Sequence, residues 1–148
     1  MTTERHTAIH EAAHAICAHM MGYEVVNVSL EPQNERWAGV AVTKFPDATP
    51  IVDELVVLLA GATATGLILG DVDASGGDVR DASDLLIADA APVTEAKRKL
   101  DQAGRLAREL VTRHRTAILR LAAELEAKRT IEGAPLSRLL TSLEGETQ

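Results

Sequence analysis

Two histidines four residues apart, with a glutamate beside the first, constrain this chain more than any other feature: His10-Glu11-Ala12-Ala13-His14. Four residues of α-helix turn through about 400°, so both imidazoles lie on one face, one turn apart. Their nitrogens can reach a single Zn²⁺ while the Glu11 carboxylate stands beside the metal's open position. That arrangement suits a metal-activated water with a general base next to it. The flanks are helical. Ile9, Ala13, Ile16 and Met20 recur at helical spacing and give the segment a side to bury. Thr3 can cap its start and Gly22 can end it. A helix that is part core and part histidine-bearing belongs at the wall of a cleft.

The chain has 148 residues, enough for one domain with its own core, and residues 1–148 are read as that single domain, with 143–148 expected to fray. Hydrophobic residues make up 46%, yet there is one Trp, one Tyr and one Phe, so the core must be aliphatic, which favours helices over a β-sandwich. The net charge of −7 comes without any Lys/Arg block, which argues against a nucleic-acid partner. Cys17 is the only cysteine, which excludes an internal disulfide and fits a reducing compartment. The N-terminus carries Glu4 and Arg5 and no apolar run, unlike a signal peptide. The uncharged stretch from Leu55 to Gly70 is interrupted by Gly61, Thr63, Thr65 and Gly66. It falls short of the ~20 apolar residues of a membrane span and reads as a buried helix. The expectation is a soluble, cytoplasmic protein without a membrane partner.

Periodicity and punctuation give the order of elements. A helix is expected from Glu4 to Met21, then two Val-rich strands, Val25–Leu30 and Gly39–Phe45, separated by Pro32. Pro50 opens a long apolar helix that Gly70 ends. Asp71 to Gly77 reads as a loop, Asp78 to Ala90 as a helix, and Pro92 starts another to Thr112. Arg115 to Lys128 forms a further helix, and Leu136 to Leu143 a short last one after Gly133 and Pro135. The fold class is therefore mainly α (α+β), with a small two- to three-stranded sheet after the first helix.

Catalytic zinc generally has three protein ligands, and two histidines leave one to find. His6 continues the ladder towards His10, but His6 and His14 lie two turns, about 11–12 Å of rise, apart, too far for one ion. His19 is off the stripe, and His114, between Arg113 and Arg115, reads as a surface residue. Cys17 lies almost on the stripe, though a small buried core residue is the favoured reading. Asp71-Val72-Asp73-Ala74-Ser75-Gly76 imitates the opening of a calcium loop, but its twelfth position is Ala82 where a bidentate Glu is needed. Asp78, at the head of the next helix, suits either a ligand or a favourable charge at a helix N-terminus.

Four segments of the chain resemble the peptidase domain of the FtsH-type ATP-dependent zinc proteases. Thr7 to Gly22, TAIHEAAHAICAHMMG, is similar to the family's zinc helix. Leu58 to Asp71, LLAGATATGLILGD, resembles its Gly-rich helix, and Ser75 to Leu86, SGGDVRDASDLL, the segment that carries its third ligand. Ala107 to Leu140 is similar to its C-terminal helices. The resemblance implies that His10, His14 and Asp78 hold one Zn²⁺ per chain and that Glu11 is the catalytic base. It also places Gly39–Phe45 where the family has an edge strand that pairs with substrate backbone, so Gly39, Val40, Ala41 and Val42 become substrate-binding residues.

Departures accompany the likeness. Ala13 and Ala62 stand where the family has Gly and Arg, and Thr65-Gly66 where it has a pair of glutamates. No G-x-x-x-x-G-K-[ST] phosphate-binding sequence occurs in these residues. The expected function is a zinc metalloendopeptidase acting on unfolded or extended polypeptide. The rivals are a non-catalytic peptidase-like binding module, and a partner-dependent subunit served by a separate AAA ATPase or by self-association.

Overall fold

The computed structural model describes residues 3–32, 38–70, 76–89 and 92–145, with backbone only over 76–80. The elements follow in the order α1 (Thr3–Met20), β1 (Glu24–Ser29), β2 (Val40–Lys44), α2 (Ile51–Leu69), α3 (Gly76–Asp89), α4 (Val93–Arg113), α5 (Arg115–Lys128), β3 (Thr130–Glu132) and α6 (Gly133–Ser142). A 3₁₀ turn, Leu143–Gly145, closes the described chain. The fold is mainly helical with one small antiparallel sheet, as the residue pattern implies.

The helix α1 is buried around its whole circumference from Thr7 to Ala18. Alanines at 8, 12, 13, 15 and 18 let neighbours come close on every side, and Ile9 and Ile16 fill the remaining space. Each isoleucine contributes about 1.5–3 kcal/mol through its burial. Around α1 pack α2, α5 and the first two strands. Its C-terminus turns at Gly22, whose φ is +93°. The Gly22 N–H donates to the His19 carbonyl at 3.0 Å and the Tyr23 N–H to the Ala18 carbonyl at 3.0 Å, a Schellman turn that satisfies two free carbonyls.

The strand order is β2-β1-β3. Val28 stands opposite Ala41 on one side and Ile131 on the other, and Val28 and Ile131 are both buried in the core. The pairing of β1 with β2 shifts between Val25 and Asn27, a bulge that turns the strand over α1. The β3 strand is not foreseen in the residue pattern, since Thr130-Ile131-Glu132 offers one apolar residue and no period.

Only Leu67 in α2 is exposed, so this apolar helix is an inner layer between α1 and α4. By length and composition alone α2 would also suffice to cross a membrane. Two expectations need correction. His114 is not a surface residue: it is buried at the α4–α5 junction, where its backbone N–H donates to the Leu110 carbonyl at 2.9 Å. The last turn departs from the expected fraying at 143, because Leu143 packs into the core and Glu144 pairs with His19 at 2.8 Å.

Two glycines with open space around them should respond oppositely to a methyl group. Gly22→Ala should lower stability by about 1–2 kcal/mol, because the left-handed turn disfavours a Cβ. Gly104→Ala, in the interior of α4, should raise it by about 1 kcal/mol through helix propensity. Urea denaturation of the two variants measures both signs. A third expectation concerns acid. Burial, and then the charge of Arg113, hold the His114 imidazole below its ordinary pKa of 6.5. The unfolded chain therefore takes up the proton first, so stability present above about pH 6.5 is lost as the pH falls. Denaturation of His114→Leu between pH 7 and 5 should show a flatter pH dependence than the parent protein.

Candidate metal centre and active-site cleft

The site begins where α2 crosses α1. Gly61 lies so close to α1 that a Cβ there would sit 2.6 Å from His10 Nε2 and 2.6 Å from His14 Nε2. Both imidazoles thus direct the same nitrogen at one place. The rings meet edge to face, with centroids 4.7 Å apart. A glycine inside a helix costs about 1 kcal/mol relative to alanine, and here its missing side chain is what lets the two rings pack against the α2 backbone.

One turn earlier on the same helix, the Val57 carbonyl accepts a hydrogen bond from His14 Nδ1 at 2.7 Å. A carbonyl has only lone pairs to offer, so the proton must be on Nδ1. The neutral His14 ring then carries its acceptor lone pair on Nε2, which is the tautomer a metal ligand requires. His10, Glu11 and His14 are each less than a tenth exposed.

Glu11 is covered from the other side by the approach to β2. A Cβ on Gly39 would lie 2.7 Å from the Ser29 carbonyl oxygen and 3.2 Å from Glu11 Cγ. Gly39 is therefore the residue that lets β2 start directly over the glutamate. Glu11 and His14 open onto a cleft of about 810 Å³. Its walls are Gly39 to Thr43 of the β2 edge, a stripe of Glu54, Val57 and Leu58 on α2, and Asp81, Asp84, Leu85 and Ala88 on α3. The volume lies within the range of ligand clefts, about 300–1,000 Å³. Phe45 closes one end, stacked edge-on against Tyr23, whose hydroxyl donates to Asp53 at 2.5 Å.

Of the residues singled out in the sequence, His10 and His14 meet beside Gly61, while Glu11 and His14 line the cleft together with Gly39, Val40, Ala41 and Val42. Asp78 occupies the first turn of α3, and its side chain lies outside the described residues. So does the Asp71–Ser75 loop. Among the described residues no group of three His, Cys, Asp or Glu side chains converges, so neither His6 nor Cys17 joins the histidine pair. Cys17 is fully buried, and burial pushes its thiol up to about 12. His19 faces away and pairs with Glu144. Thr65, where the resembled family has a glutamate, is buried and turns its hydroxyl back to the Ala62 carbonyl at 3.1 Å. Val57, Gly61 and Glu54 escaped the residue reading. The signal for the first two was a glycine inside an apolar helix, four residues after a residue whose backbone is also used.

No protein-family model matches the chain, and no curated protein matches it.

Gly61→Ala should destabilise the fold by about 1–3 kcal/mol, since the methyl would overlap both rings in a packed interior. Comparison with Gly104→Ala under the same denaturant separates this collision from helix propensity, which alone would stabilise. A Gly61→Ala protein more stable than the parent would mean that the histidines have room to turn away.

Proposed function

We propose that this chain is a zinc metalloendopeptidase, similar in its site to the FtsH-type peptidases, that hydrolyses unfolded or extended polypeptide. The observation that carries the proposal is the pair of Nε2 atoms that meet beside Gly61, with Glu11, the next residue after His10, lining the cleft together with His14. The residues fit a zinc ion. Both Nε2 atoms lie within 2.6 Å of the same point beside Gly61, the His14 tautomer places its acceptor lone pair on Nε2, and neutral imidazoles are ligands zinc favours. Asp78 is the proposed third ligand. Helical spacing relates it to Asp81 and Leu85, three and seven residues on, which line the cleft.

Zinc held by His10, His14 and Asp78 would supply an acidified water and a Lewis acid for the scissile carbonyl. The chain's own residues do the rest. The Glu11 carboxylate takes the proton from the attacking water and delivers it to the leaving amine. The free edge of β2 binds the substrate backbone by strand addition, which requires an extended segment. Aliphatic side chains from α2 and α3 exclude solvent water around the reacting bond. A structural site would have no use for a glutamate at position 11.

A second reading, a binding module or a subunit dependent on a separate ATPase or on self-association, draws support from Thr65. Its hydroxyl serves its own helix where the family has a carboxylate to support the site.

The purified chain should hold about one zinc per subunit after reconstitution, and His10→Ala or His14→Ala should lose it. Zinc-loaded parent protein should cleave unfolded protein, while zinc-loaded Glu11→Gln should be slower by at least ~100-fold. Equal and zero activity in both, with zinc bound, would favour the binding module. Asp78→Asn should weaken zinc by about 10-fold or more in chelator competition, while Asp73→Asn and Asp81→Asn stay within a few-fold of the parent. Loss at Asp73 or Asp81 instead would reassign the third ligand.

A further inference from the structure

The cleft contains a carboxylate that the proposed hydrolysis does not use. Glu54 lies in the first turn of α2, half-buried in the cleft wall. Its neighbour Asp53 is occupied by the Tyr23 hydroxyl. Glu54, by contrast, makes no side-chain hydrogen bond or ion pair among the described residues, and every charged residue described in the cleft lining is acidic: Glu11, Glu54, Asp81 and Asp84. Partial burial pushes the Glu54 carboxyl above its ordinary range, a sign that the surroundings offer its charge little compensation. A cation brought by the occupant of the cleft would supply it.

The helix sets the distance. Glu54, Val57, Leu58 and Gly61 follow at i, i+3, i+4 and i+7, so they form one stripe along the cleft wall. Seven residues separate Glu54 from Gly61, beside which the histidines meet, and correspond to about 10 Å of helical rise. An extended peptide covers about 3.3 Å per residue, so the same span takes about three residues. Between the two ends the wall is Val57 and Leu58, with Leu85 and Ala88 contributed by α3, which suits aliphatic side chains.

We infer that Glu54 is a specificity-determining residue of the cleft, reading a lysine or arginine about three residues from the scissile bond of an otherwise aliphatic extended segment. This rests on the peptidase reading for its register. The charge preference itself belongs to the cleft and is open to a binding measurement that needs no turnover.

The test uses the full zinc-loaded chain carrying Glu11→Gln, so that bound peptide is not consumed. Fluorescein-labelled aliphatic peptides with one lysine moved through successive positions, and matched peptides with norleucine or glutamate in its place, are titrated by fluorescence anisotropy. Lysine at the favoured position should tighten binding roughly fivefold over norleucine, and glutamate should weaken it. In Glu11→Gln/Glu54→Gln the lysine-to-norleucine ratio should fall towards one. In Glu11→Gln/Glu54→Lys the order should invert in favour of the glutamate peptide. A lysine advantage that survives both substitutions overturns the inference, as does its absence at every position. Cleavage of the same peptides by the protein with Glu11 intact tests the peptidase reading separately. Charge selection without cleavage would leave Glu54 in its role and remove the hydrolysis. Cleavage with no charge selection would do the reverse.

Discussion

One hydrogen bond organises this molecule: His14 Nδ1 to the Val57 carbonyl, across the crossing of α1 and α2. In an α-helix the Gly61 N–H is directed at that same carbonyl. The oxygen has two lone pairs, so one peptide group continues its own helix and orients a histidine on the next. The bond requires the two helix axes to be close, and closeness requires both the alanines of α1 and a residue without a side chain at position 61. Register, approach and imidazole tautomer thus share one cause. Any sliding of α2 along α1 would break all three together.

The strands extend the same logic to the other side of α1. Gly39 allows the β2 backbone to rest on the Ser29 carbonyl and against Glu11. The bulge in β1 and the short β3 hold the sheet in register over the helix. Glu11 is consequently enclosed between a helix and a strand edge, with one side left open to the cleft. The described walls of the cleft belong to three layers, each placed by its packing on α1 or α2.

Most of the helices were legible because each carries an apolar stripe between clear stops, such as Gly22 and Gly70. The histidine pair and Glu11 were legible for a simpler reason: spacing on a helix is geometry that a sequence states directly. The third strand was not, since its three residues form a strand only because β1 offers them a free edge. His114 was misread as a surface residue because its flanking arginines are exposed while the ring turns into the α4–α5 bend. Gly61 looked like an interruption of an apolar run. Its role depends on which helix lies opposite, and local sequence does not carry that. The place of Asp78 on α3 agrees with a helix beginning near it, while its part in the site stays with the proposal.

The lone thiol has a further meaning. Cys17 sits one turn beyond His14 on the same helix, sealed in aliphatic side chains and kept protonated by a pKa of about 12. Thiolate is the form that attacks disulfides, reacts with peroxide and captures metals. The sulfur nearest to the histidines along α1 is therefore chemically silent. The helix that carries the histidines therefore has no reactive thiolate of its own through which oxidative stress could cross-link it.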